Sequence, residues 1–118
     1  MNEQKVCTKF IYKEKAMFES KIIEKTGYGY SIDQPIKAFN VLGSYGYIKC
    51  LKPNDGVLFR YERTGCVEGL NGKLLDQYFI WVLDNNGKLK RYTIYIDMYN
   101  LRTDTQAPED FTFEGVPF

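Results

Sequence analysis

The chain has 118 residues, of which 44% are hydrophobic and 16% are aromatic, and its formal net charge is +1. Such a composition excludes a disordered tail and predicts a single domain spanning residues 1–118, because the chain can bury a core of its own. The small net charge excludes a bulk field that attracts nucleic acid or an anionic membrane.

Residues 5–25 carry apolar side chains with an ambiguous period. Ile11, Phe18 and Ile22 share one face of a helix, and Gly27 suits the position after a helix end. A strand over residues 16–25 is the competing interpretation. We predict the N-terminal helix and keep the strand as the alternative. No segment has the length of a membrane span or the pattern of a signal peptide, so we expect a cytoplasmic protein.

Glycine and proline interrupt residues 26–46, where we expect irregular chain with one short strand. The following segments are rich in β-branched and aromatic residues, separated by turns that contain glycine at 53–56, 69–72 and 84–88. They predict four sequential strands over residues 45–51, 57–67, 74–83 and 88–99. The strand over 45–51 is expected to pair with the strand over 57–67.

Residues 101–118 combine prolines and acidic residues with Phe111, Phe113 and Phe118. Proline favours an extended segment, and the phenylalanines favour docking of that segment on the protein's own sheet. The predicted fold is therefore α+β: a four-stranded antiparallel β-meander with an N-terminal helix and an extended C-terminal arm. An all-β, barrel-like fold is the alternative.

The last hairpin predicts its own register. A type I turn with a glycine bulge over Asp84 to Lys88 places Trp81 opposite Arg91 and Gln77 opposite Tyr95. A tighter turn at residues 86–87 instead places Asp76 opposite Asp97. In the first register one face of the hairpin is apolar and faces the core; its residues are Tyr78, Ile80, Val82, Tyr92, Ile94 and Ile96.

The other face of this hairpin is chemically mixed and holds the candidate ligand- or partner-binding residues Trp81, Arg91, Tyr95, Asp97 and Tyr99. An aromatic and cationic surface of this kind can stack bases or sugar rings. The competing interpretation is that this face packs under the N-terminal helix or the C-terminal arm, since large exposed aromatic patches are uncommon on monomers.

Catalytic chemistry has few candidate groups. The chain contains no histidine, which removes the usual general base, the usual zinc ligand and the familiar hydrolytic triads. Asp76 and Asp97 would form a cation site only in the tighter register. Cys7, Cys50 and Cys66 show no metal-binding spacing, and we expect reduced thiols, with Cys50 and Cys66 buried. We therefore predict no catalytic residues, metal or cofactor.

Tyrosine and tryptophan richness without catalytic groups favours a small non-catalytic binding module. The first hypothesis is protein–protein interaction, either as an inhibitor or immunity-type protein or as a homodimer. The second is binding of single-stranded nucleic acid or a sugar through the Trp81 face, although the few basic residues beside the turn do not specify nucleic acid. No membrane partner is expected.

Overall fold

The computed structural model describes residues 20–117 as a sheet-rich α+β arrangement. Most of its regular structure is strand, and within residues 20–117 the one α-helix spans Asn40–Lys49. The elements in chain order are β1 (Lys21–Ile22), β2 (Ile36–Lys37), α1 (Asn40–Lys49), β3 (Leu51–Pro53), β4 (Val57–Glu68), a 3-10 turn (Leu70–Gly72), β5 (Leu74–Leu83), β6 (Leu89–Asp97) and β7 (Phe111–Phe113).

The main sheet is mixed. Its order is β1-β6-β5-β4, with β2 also paired to β6. The pairs β4–β5 and β5–β6 are antiparallel, whereas β1 and β2 run parallel to β6. The predicted four-stranded antiparallel meander is therefore wrong in its strand count and in its purely antiparallel pairing. Within residues 20–117 the sheet does not close into a barrel. The predicted N-terminal helix falls mainly on residues outside the described range, and at Lys21–Ile22 the chain is strand rather than helix.

Helix α1 replaces the strand predicted over residues 45–51. Its buried positions include Gly43, Ser44, Tyr47 and Ile48, a spacing that places them on one helical face. Asn40 begins the helix at φ 57°, and its side-chain oxygen accepts the Gly43 N–H at 3.2 Å. Tyr47 and Ile48 on this face are fully buried in the core, and this packing compensates for the low helix propensity of glycine.

Strand β3 does not pair with β4 as predicted. It pairs antiparallel with β7 in a separate two-stranded sheet, with Leu51 opposite Phe113 and Pro53 opposite Phe111. The turn after β3 brings Gly56 against the end of β5, where a Cβ atom at Gly56 would lie 2.0 Å from the Leu83 carbonyl oxygen. Glycine is therefore required at position 56 for the turn to lie beside the hairpin.

The core lies between the apolar face of β5–β6 and the elements that pack on it. The six apolar hairpin residues predicted to face the core are each at most 5% exposed, which confirms that prediction. Phe111 packs edge-on against Tyr92 with ring centres 5.1 Å apart, and Phe113 contacts Tyr47 of α1. Residues 101–117, which we call the arm, therefore dock on the protein's own sheet as predicted.

Tyrosine hydroxyl groups hold the arm in place. The donors come from the loop between β1 and β2, from α1 and from β6, and each acceptor lies in residues 104–110. We call this set the tyrosine clasp. Its hydrogen bonds are Tyr28 to Asp104 Oδ2 (2.7 Å), Tyr30 to the Glu109 carbonyl, Tyr47 to the Gln106 carbonyl (2.6 Å) and Tyr92 to Asp110 Oδ2 (3.0 Å).

Candidate functional site

The hairpin β5–β6 has the register predicted from its turn. Trp81 lies opposite Arg91 and Gln77 opposite Tyr95. Asp84 fixes the turn, because its Oδ1 accepts the backbone N–H groups of Asn86 and Lys88, each at 2.9 Å. The Lys88 amide is the main reason that the pKa of Asp84 lies below its ordinary value. A carboxylate that accepts two backbone donors thus selects the wider turn over the tighter one.

Trp81 is largely buried in the structure. It is 6% exposed, its ring meets Phe79 edge-on at 5.8 Å, and the Arg60 guanidinium lies 5.7 Å from its ring centre. Arg91 stacks on the Phe79 ring at 3.9 Å. The predicted neighbours Trp81 and Arg91 are brought together, but the Trp81 ring offers little open surface on which a base or sugar can stack.

Tyr95 and Arg91 line a cleft of about 360 Å³ beside β1. The polar residues Gln77 and Thr93 also line it, together with Lys25 from the chain that follows β1. A cleft with amide, hydroxyl and guanidinium groups suits a hydrogen-bonding ligand better than an apolar one. Of the predicted site residues, these two line the same cleft.

Asp97 is separated from Asp76, so the carboxylate pair of the tighter register does not form. Asp76 lies opposite Ile96, and the alternation of side chains along β6 places Asp97 on the other face of the sheet. Asp97 pairs with Lys73 at 3.1 Å, and Asp76 pairs with Arg63 at 3.0 Å. Each carboxylate therefore has its own cationic partner.

The electrostatics of Asp97 follow from its contacts. Burial by itself raises the pKa of Asp97, but the Tyr99 amide and the Lys73 ammonium outweigh burial and hold the pKa below its ordinary value. The Tyr99 N–H reaches Asp97 Oδ1 at 3.1 Å. Asp97 therefore remains a carboxylate near neutral pH.

Tyr99 lies at the surface, 69% exposed, next to apolar residues that the sequence analysis did not select. Phe39 forms a backbone bridge with Tyr99, which brings the start of α1 beside the chain that follows β6. Leu42 and Leu101 are 68% and 92% exposed. We define the Tyr99 patch as Phe39, Val41, Leu42, Tyr99 and Leu101.

A sequence signal for part of this patch exists. Leu101 is an apolar residue at the start of a segment dominated by polar residues and proline. No helical or strand pattern in this segment explains an apolar residue at that position. Val41 and Leu42 precede the buried small face of α1, but they were assigned to irregular chain, so their position on a helix was not anticipated.

The thiol groups form no disulfide bond within the described residues. Cys50 is buried as predicted, whereas Cys66, on β4 opposite Asp76, is exposed, contrary to prediction. Cys7 lies outside the described range. Among residues 20–117 no group of three or more cysteine, aspartate and glutamate side chains is arranged to hold a metal ion.

No protein-family model, curated protein or solved structure matches the chain. In the part of the chain that the structure describes, none of the helical segments has the length and apolar character needed to cross a bilayer.

Proposed function

We propose that this chain is a small non-catalytic binding module that recognises a protein through the Tyr99 patch. The observation that carries this proposal is the exposure of five apolar side chains on the two segments that the Phe39–Tyr99 bridge joins: Phe39, Val41, Leu42, Tyr99 and Leu101. Contiguous exposed apolar groups are a marker of protein interaction sites. Tyrosine and phenylalanine are enriched in the cores of such interfaces.

The backbone beneath the patch is fixed by hydrogen bonds. The Asn40 N–H donates to the Met98 carbonyl at 2.8 Å, and the Asn100 N–H donates to the Ala38 carbonyl at 3.2 Å. The Phe39 N–H also donates to the Thr103 hydroxyl at 3.0 Å. A surface held in this way loses little conformational entropy on binding, which favours affinity.

Two exposed basic residues lie at the edge of the patch, where the partly exposed Asp104 also accepts the Lys37 N–H at 3.0 Å. Lys37 precedes Phe39 by two residues and Arg102 follows Leu101, and both are exposed. Neither side chain forms an ion pair with another of residues 20–117. A partner that presents carboxylates around an apolar centre matches this arrangement, because complementary rim charges raise the association rate. This charge pattern favours an inhibitor or immunity-type complex with an acidic partner over a homodimer, because the patch of a symmetric dimer meets its own copy and brings the basic edges together.

The experiment that tests the patch is light scattering after size exclusion on the wild type, Leu101→Asp and Val116→Asp. Val116 is 84% exposed and lies outside the patch, so Val116→Asp controls for an added surface charge. A homodimer predicts that only Leu101→Asp is monomeric.

If the wild type is monomeric, the second experiment is affinity capture from host lysate with the same three proteins. A partner that the wild type and Val116→Asp retain and Leu101→Asp loses supports the proposal. If the wild type is monomeric and retains no protein, or if all three proteins retain the same set, the proposal is wrong.

The cleft lined by Arg91 and Tyr95 favours a second candidate function, binding of a sugar. Its hydroxyl, amide and guanidinium groups match the hydrogen-bonding groups of a carbohydrate. Trp81 is the single tryptophan of the chain and neighbours Arg91 across the strands. A saturable change in its fluorescence with oligosaccharides, lost in Arg91→Ala, supports this function; a flat trace with oligosaccharides and with single-stranded oligonucleotides removes it.

A further inference from the structure

A smaller cleft, of about 180 Å³, lies where β6 ends, on the face of the sheet that carries Trp81. Ile32, Pro35, Leu70 and Leu75 supply apolar walls, and the polar and charged lining residues are Asp33, Lys37, Asn71, Lys73 and Asp97. The two carboxylates balance the two lysines, so displacement of Lys73 leaves the cleft with a net negative charge. An enclosed apolar cavity of roughly 150 Å³ holds a molecule the size of benzene. This cleft is open and partly polar, but it has a comparable volume, which leaves room for a short hydrocarbon stem against Leu70 and Leu75.

The carboxylate of Asp97 is buried and rigid. Its side chain is 2% exposed, its Oδ1 accepts the Tyr99 N–H at 3.1 Å, and its backbone carbonyl accepts the Ala38 N–H at 2.8 Å. The other oxygen, Oδ2, accepts from Lys73 Nζ at 3.1 Å. Oδ2 is therefore the oxygen that a cation entering the cleft would meet.

The Lys73 side chain indicates which ligand chemistry the cleft accepts. It is a primary ammonium on a four-carbon stem, and it reaches Asp97 in a cleft that Leu70 and Leu75 also line. The Lys73 side chain is 56% exposed, and the residue follows Asn71 and Gly72, both with positive φ, in the 3-10 turn. Because half of the side chain is already in water, moving it out costs little packing, in contrast to a cation enclosed on all sides.

The geometry points to a binding site for a small primary alkylamine, which Lys73 fills in the free protein and which such a ligand takes over by displacing it. The ligand's ammonium replaces Lys73 Nζ on Asp97 Oδ2, and its stem lies against Leu70 and Leu75. No bond is made or broken. The cleft adjoins the Tyr99 patch, because Asp97 accepts the Tyr99 N–H and Lys37 lines the cleft, but amine binding to Asp97 does not require a partner on the patch.

The test is titration of n-butylammonium chloride into the wild type and Lys73→Met at constant ionic strength, followed by the backbone amide NMR shifts of Tyr99 and Asn100. Both proteins should show saturable shifts. The affinity of Lys73→Met should be roughly tenfold higher, because the internal competitor is gone. If Lys73→Met does not fold, n-butylammonium should restore its folded spectrum, and the wild-type titration decides the question.

Arg63→Met is the matched control. Arg63 pairs with the buried Asp76 as Lys73 pairs with Asp97, but Asp76 does not line this cleft. Arg63→Met should bind n-butylammonium no better than the wild type, and Asp97→Asn should not bind it. Tetramethylammonium has the same charge but no N–H donor and should cause no shift. The proposal is overturned if the wild type shows no saturable shift, if tetramethylammonium acts equally, or if Arg63→Met responds as Lys73→Met does.

Discussion

The two faces of the β4–β5–β6 sheet are stabilised by different chemistry. On the apolar face, the tyrosine clasp holds the arm with neutral hydroxyl donors over a core of aromatic and aliphatic side chains. On the other face, which is chemically mixed, charged groups take part in the packing: Arg91 stacks on Phe79, and Lys73 pairs with Asp97. The stability of the sheet should therefore depend on alkaline pH through the tyrosines of the apolar face and on acidic pH through Asp97 on the other face.

The largest effect we expect is alkaline unfolding. Burial is the main cause that raises the pKa of each clasp tyrosine, Tyr28, Tyr30, Tyr47 and Tyr92, above its ordinary value of 10.0. Since the folded pKa exceeds the unfolded pKa, the stabilisation is complete below pH 10 and is lost as the pH rises above it. Circular dichroism and tyrosinate absorbance should change together. Separate ionisation of these tyrosines in a chain that stays folded would contradict the clasp.

The next effect is loss of the arm's aromatic anchor. Phe111→Ala removes a ring that is 6% exposed and packs on Tyr92, and we expect it to lower the free energy of unfolding by about 3 to 5 kcal/mol. Urea denaturation measures this change. Val116→Ala, in the same segment but at the surface, is the control and should stay within about 0.5 kcal/mol of the wild type. Equal stabilities of the two variants would show that the arm does not contribute to the core.

The smallest effect concerns the charged face and appears in acid. The pKa of Asp97 lies below its ordinary value of 3.8, so its contribution to stability is present above that value and is lost as the pH falls through the folded pKa. Asp97→Asn should therefore lose less stability than the wild type between roughly pH 6 and pH 3. Urea midpoints at the two pH values measure the difference. An identical acid loss in both proteins would remove Asp97 as a source of the pH dependence.

The β5–β6 hairpin could be predicted because its determinants lie within the hairpin itself. Asp84 and Gly87 specify the turn, the turn specifies the register, and the alternation of side chains then assigns the faces. The neighbouring pair Trp81 and Arg91 follows from that register alone. The burial of Trp81 does not, because burial depends on what packs over the strand.

Residues 45–51 were wrongly predicted as one strand, because the determinants of the second half of α1 and of the start of β3 are distant in the sequence. Residues 45–51 have the aromatic and β-branched content of a strand. Their tertiary environment nevertheless favours a helix through residue 49, which buries one face against the core. Strand β3 pairs with β7, some sixty residues away, rather than with its neighbour β4. Local propensity carries no information about such a partner.

The candidate site likewise combines contacts that the sequence predicted with contacts that it did not. Arg91 and Tyr95 were placed correctly across from Trp81 and Gln77, whereas the partner of Asp97 is Lys73, which belongs to another element. Phe39 joins Tyr99 only through a bridge between residues sixty positions apart. Sequence patterns identify candidate residues by their type. Contacts between residues distant in the sequence decide which of these candidates lie next to each other in the fold.

The amino-acid sequence by itself determined the hairpin, its register and its apolar face, because turn residues and strand alternation act over a few positions. Tertiary structure alone decided that residues 40–49 are helical, that the arm supplies β7, and that Asp97 is buried under Lys73. These outcomes depend on long-range packing, whose free energy exceeds the small local preferences that a sequence displays.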